Sequence, residues 1–138
     1  MANTRVQLEV EAWVREYWMP KEYGHHFQKK RVRLTSGGLF EFDAVSEDGS
    51  IIASVATSKK KGASGKNAIG SILKFCCDMF YMLLVDTKRR IQILTEQDMF
   101  EYWKKEVDGC RVPASIKFVH VDLPVDLDAR LKCARKKA

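Results

Sequence analysis

Three groups of residues in this sequence are of types that could do chemistry: an acid inside an apolar strand, a lysine-rich loop ahead of a helix, and three histidines. Asp43 lies in Leu39 to Val45, where Leu39, Glu41, Asp43 and Val45 alternate with Phe40, Phe42 and Ala44. A carboxylate there is costly unless it is paired, hydrogen-bonded or bound to a metal. At a strand end it can also simply reach water or a backbone amide. The loop is Ser58-Lys59-Lys60-Lys61-Gly62-Ala63-Ser64-Gly65-Lys66, and amides and lysines at a helix N-terminus favour anions. Asn67 follows Gly65-Lys66, so the Gly-x4-Gly-Lys-Ser/Thr order of a nucleotide-hydrolysing loop is absent. A nucleic-acid phosphate remains the fitting anion. His25 and His26 are adjacent, and neighbours on a strand face opposite ways, so a shared metal ion with His120 is not expected.

The elements that must position these residues follow from periodicity and punctuation. Asn3 or Thr4 can cap a helix to about Tyr17, with Val6, Val10, Trp13, Val14 and Tyr17 on one stripe and Glu9 and Glu11 flanking it on opposite sides. Pro20 and Gly24 are expected to end it. His26 to Leu34 reads as a strand, half apolar and half basic. Leu39 to Val45 and Ile51 to Thr57 are strands joined by the turn Glu47-Asp48-Gly49-Ser50. A helix is predicted from about Lys66 to Met79, with Ala68, Ile69, Ile72, Cys76, Met79 and Phe80 inward, and then a buried strand from Tyr81 to Asp86. Arg90 to Leu94 is a strand, and Thr95 can cap a helix through about Val107 that Asp108-Gly109 stops. Met99, Phe100 and Trp103 stand at helical spacing and suit a core. Ile116 to Val121 is a strand, and Asp126 to Lys137 a basic helix.

Length and charge bound the rest. The 138 residues suit one domain spanning 1–138, and 46% hydrophobic residues can build a core. No apolar run reaches the roughly 18 residues of a membrane helix and no signal peptide opens the chain, so a cytoplasmic, membrane-free protein is expected. Cys76, Cys77, Cys110 and Cys133 have no zinc or CxxC spacing, and Cys76-Cys77 read as core thiols. The net charge of +6 is clustered in Lys29-Lys30-Arg31 with Arg33, Lys59-Lys60-Lys61 with Lys66, Lys88-Arg89-Arg90 and Arg135-Lys136-Lys137. Each cluster alone could be a solvated element end; together they favour a polyanion, DNA or RNA.

The order helix, three strands, helix, strand, with its two placed acids, resembles the core of the PD-(D/E)XK nuclease-like superfamily over roughly residues 4 to 94. That resemblance implies an α/β fold, a central mixed β-sheet flanked by helices, with an α-β-β-β-α-β core and extra C-terminal strands and helices. In that superfamily a glutamate often comes from the first helix, an aspartate from the second strand and Glu-x-Lys from the third. The acids hold magnesium, and the lysine orients or activates the attacking water. Glu11 matches the glutamate best, with Glu9 second, and Asp43 in Phe42-Asp43-Ala44-Val45 matches the aspartate. The third strand departs, offering Ser54-Val55-Ala56 or Ala56-Thr57-Ser58 in place of Glu-x-Lys.

The resemblance therefore implies Mg or Mn, if the domain is active, on Asp43, Glu11 and the carbonyl of Val55. Lys59, Lys60 or Lys66 would replace the missing lysine, Lys59 being the catalytic candidate. The expected function is a nuclease-like domain with cleavage lost or much reduced. Nucleic acid would lie on Lys59, Lys60, Lys61, Lys66, Lys29, Lys30 and Arg31. Two alternatives stand beside it. One is an active Mg- or Mn-dependent phosphodiesterase with a rearranged site. The other is a non-enzymatic interaction subunit or homodimer, using a sheet edge and the Met99 to Trp103 helix.

Overall fold

The computed structural model describes residues 4–59 and 69–137. Its strands are β1 (Phe27–Arg33), β2 (Leu39–Ser46), β3 (Ile51–Ala56), β4 (Arg89–Leu94) and β5 (Ile116–His120), which form one sheet in the order β1-β2-β3-β4-β5. β1, β2 and β3 run antiparallel because tight turns join them. Between β2 and β3, Asp48 Oδ1 accepts from Ser46 Oγ at 2.8 Å, Ser50 Oγ at 2.7 Å and the Ser50 N–H at 3.0 Å. Gly49 takes the positive φ of 75° that closes this turn. β3, β4 and β5 are parallel, each pair linked through a crossover helix, α3 (Ile69–Leu83) or α4 (Gln97–Asp108).

The fold is thus α/β, with helices on both faces of a mixed sheet. One face carries α1 (Thr4–Trp13) and α5 (Val125–Lys137), whose Val6, Val10, Leu127 and Leu131 pack on Ala53, Val55, Ile91 and Ile93. On the other face Phe75, Met79 and Met82 of α3 and Met99 and Trp103 of α4 cover Phe42, Ile52 and Leu94. Met99 and Trp103 are core, as their spacing implied. Among the described residues, no helix is long and apolar enough to cross a membrane.

Several boundaries differ from the sequence reading. The first helix does not end at Pro20. It widens into a π-turn (Val14–Trp18), where the Met19 N–H reaches the Val14 carbonyl, and then continues as α2 (Met19–Tyr23) to Gly24 at φ 73°. Pro20 sits in the first turn of α2, directly after the π-turn. The wider turn buries Val14 and Met19 and leaves Tyr17, expected inward, 70% exposed. Thr95 does not cap α4: Glu96 occupies the cap position, and Thr95 Oγ1 is within 3.4 Å of the Ala56 carbonyl.

Residues 81–86 are not a strand. α3 runs on to Leu83, and Arg90 Nε and Nη2 then donate to the carbonyls of Met82 (2.7 Å) and Val85 (2.6 Å). This arginine satisfies carbonyls that the helix end leaves open. The inner face of α3 is Phe75, Met79 and Met82, with Ile72 half-buried, while Ile69, Cys76 and Phe80 point to solvent. The helix carries two apolar stripes of equal period, and period alone does not say which one meets the sheet. Cys76 and Cys77 are consequently exposed, not core thiols. Ala68 lies outside the described residues.

Candidate functional site

Asp43 owes its position to a break in strand pairing. On β1, Gln28 pairs with Val45 and Lys30 with Phe42, so the two residues Asp43 and Ala44 oppose the single residue Lys29. Such a β-bulge bends the strand and re-aims side chains. The strict alternation expected for Leu39 to Val45 breaks here: Phe42 packs with α3 and α4, while Ala44 packs with α1 and α5. Pairing of β2 with β3 is confined to Ala44 with Ala53 and Val45 with Ile52. Beyond it Asp43 Oδ2 accepts the Val55 N–H at 2.8 Å, so a side chain takes over where a main-chain partner is lost. Arg15, in the π-turn, donates to the Asp43 carbonyl at 3.1 Å.

The parting of β2 and β3 opens a cavity of about 220 Å³. Glu11 from α1, Asp43 from β2, Val55 to Ser58 at the end of β3, and Lys74 and Asp78 from α3 line it. Burial, and then the charge of Asp43, push the Glu11 carboxyl above its ordinary value, while Lys29, Arg15 and Lys74 pull the other way. Burial also raises the Asp78 carboxyl, against the pull of Lys74 at 3.4 Å, and Asp43 adds a smaller upward push. Charge is therefore crowded in a partly dry space, which is how binding and catalytic sites hold perturbed acids.

Of the two helix acids, Glu11 reaches this cavity. Glu9 faces away and pairs with Arg130 of α5, beside Trp13 and Tyr17. Lys29 lies 3.9 Å from both Glu11 and Glu41, tying the basic edge strand to the cavity rim. Lys30 and Arg31 are exposed along the same edge. Lys59 lines a different cavity, of about 440 Å³, with Glu96, His120 and Lys132. Lys60, Lys61 and Lys66 lie outside the described residues. His25 is bonded to Glu47 at 3.0 Å, and His120 touches the Phe100 ring, so the three histidines do not converge.

Lys74 and Asp78 escaped the sequence reading. Their signal was present: they are the charged residues of an otherwise uncharged α3, spaced i, i+4 on one face. Together they bring to the cavity a lysine and a third carboxylate that β3 lacks. Among the described residues, no group of three His, Cys, Asp or Glu side chains could hold a metal ion. Val55 meets Asp43 through its N–H. The described residues do not by themselves build an all-protein magnesium or manganese cage.

No family model, curated protein or solved structure matches this chain.

Proposed function

We propose that this chain is a nuclease-like domain that binds nucleic acid, with phosphodiester cleavage lost or much reduced. One observation carries the reading: Asp43, displaced by a bulge on the second strand, shares a cavity with Glu11 of the first helix, beside a third strand that offers neither acid nor lysine. The order α-β-β-β-α-β and the pairing of these two acids support kinship with the PD-(D/E)XK superfamily. The exposed cations of β1 supply phosphate contacts next to that cavity, since Lys29 opposes the bulge itself. Filter binding of DNA and RNA through a salt series tests the reading. Affinity should fall steeply and log-linearly with salt. No binding at low salt would remove it.

A cleaving enzyme is the second reading, favoured by Lys74 and Asp78, which bring a lysine and a further carboxylate to the cavity wall from α3. Plasmid and single strands incubated with manganese, wild type beside Asp43→Ala, decide between the two. Cleavage by wild type alone establishes the enzyme. Equal cleavage by both proteins identifies a contaminant.

A further inference from the structure

Lys74 and Asp78 set a hydrogen-bond donor beside acceptors on the wall of the Asp43 cavity. They stand one helical turn apart on α3, with Lys74 Nζ 3.4 Å from Asp78 Oδ2. The Asp78 side chain is 15% exposed and that of Lys74 is 76%, so the carboxylate is the deeper end of the pair. An ammonium only donates, and an ionised carboxylate only accepts, through two oxygens. Glu11 and Asp43 line the same cavity, and Asp43 Oδ2 already accepts the Val55 N–H. Among the described residues the lining therefore sets three carboxylates against one ammonium, which repels a phosphate. That crowding is felt at Glu11 and Asp78, whose carboxyls are raised by burial and further by Asp43. At about 220 Å³ the cavity is also smaller than the ~300–1,000 Å³ of a pocket that takes a whole drug-sized ligand. A single ring system is the group that suits it.

We propose, resting on the nucleic-acid reading above, that this cavity takes an unstacked guanine base from a single strand. Lys29 opposes the bulge and stands 3.9 Å from Glu11, so phosphates on the cations of β1 bring the strand to the cavity rim. What enters an acid-lined space from there is a base, not a phosphate. Single strands are read in this way, through bases splayed out of the stack and bonded on their Watson–Crick edges. Along that edge guanine presents an acceptor, O6, followed by two neighbouring donors, N1–H and the N2 amino group. Lys74 and Asp78 present the complement, a donor followed by two accepting oxygens. Paired bonds to one carboxylate are strong and fix orientation. Glu11 and Asp43 add acceptors for the second amino hydrogen. Adenine, cytosine, thymine and uracil each carry one donor group on that edge, so none matches a carboxylate with two.

Fluorescence anisotropy of the full chain with short thymidine strands tests this, above neutral pH so that the carboxylates are ionised. The central base is left as thymine or changed to guanine, hypoxanthine, adenine or cytosine, at one fixed low salt. The guanine strand should bind about tenfold more tightly than the thymine, adenine or cytosine strand. Hypoxanthine keeps O6 and N1–H but lacks the N2 amino group, and should lose most of that advantage. Asp78→Asn turns one acceptor into a donor and should erase the guanine preference. Ser71→Phe should erase it by filling the space, since Ser71 lines the cavity. Circular dichroism checks that both variants fold. Strands bound equally by wild type whatever the central base overturn the guanine site and leave the nucleic-acid reading standing. A guanine preference that survives in both variants overturns the site too, because the base is then read elsewhere. No strand bound at low salt removes both.

Discussion

The Val55 N–H donates to Asp43 Oδ2 at 2.8 Å, at the point where β2 and β3 stop pairing. A carboxylate thus holds together two strands whose separation makes the cavity. Val55 is 9% exposed, and its N–H is given to that oxygen. Asp43 serves stability as well as the site, and the two roles are separable by substitution.

Asp43→Ala should lower stability by about 1–3 kcal/mol, the penalty for orphaning a buried donor. Asp43→Asn keeps a carbonyl oxygen for the Val55 N–H and should avoid most of that loss. Urea unfolding midpoints at constant slope measure both. Equal loss in the two variants would show that charge, not hydrogen bonding, secures the strand.

Glu11 gives a pH signature of known sign. Its folded carboxyl is raised above the ordinary value of 4.5, by burial first and by Asp43 second. Between those two values the native state holds more protons than the unfolded one, so stability falls as pH rises through that window. Glu11→Gln should therefore be the more stable protein at neutral pH, and the difference should close below about pH 4.5. In Asp43→Asn the Glu11 titration should move back down, a shift visible by NMR. A Glu11→Gln protein no more stable than wild type at pH 7 contradicts the account.

Much of this was legible in the sequence, and the exceptions have physical causes. The turn at Asp48-Gly49, the strand Arg90 to Leu94 and the core residues Met99 and Trp103 follow from local chemistry that tertiary contacts do not overrule. That Glu11 and Asp43 line one cavity follows from the order of the elements that carry them, not from either residue's need of a partner, since the two like charges repel. The bulge was not readable, since two residues opposing Lys29 is a property of pairing between strands. Nor was the π-turn that releases Tyr17 to solvent. On α3, a second apolar stripe of the same period hid both the true inner face and the role of Lys74 and Asp78.

The β1 edge should govern salt dependence. Log affinity falls with log salt at about 0.9 per phosphate contact. Removing Lys29, Lys30 and Arg31 together should shallow the slope by up to about 2.7 if all three touch phosphate. Lys29 also faces Glu11 and Glu41, so its share should be the smallest of the three. A slope unchanged in the triple variant would place the phosphates elsewhere on the surface.

A last prediction concerns Arg135, which belongs to a cluster read as polyanion-binding. Its Nη1 stands 3.3 Å from Glu96 and its Nη2 donates to the Thr57 carbonyl at 2.8 Å, so it joins α5 to the ends of β3 and β4. The Glu96 side chain is 6% exposed and that of Arg135 is 25%. Taking the arginine away leaves a buried carboxylate with the Thr95 hydroxyl at 3.1 Å but without its cation, which should cost about 2–3 kcal/mol, below the usual range for a buried pair. Nucleic-acid affinity should change little once unfolding is allowed for. The double variant Arg135→Ala with Glu96→Gln should regain much of the stability, since the stranded charge has gone. If the double variant is no better than Arg135→Ala alone, the bond to Thr57 outweighs the ion pair. If affinity collapses while stability holds, Arg135 is a phosphate contact after all.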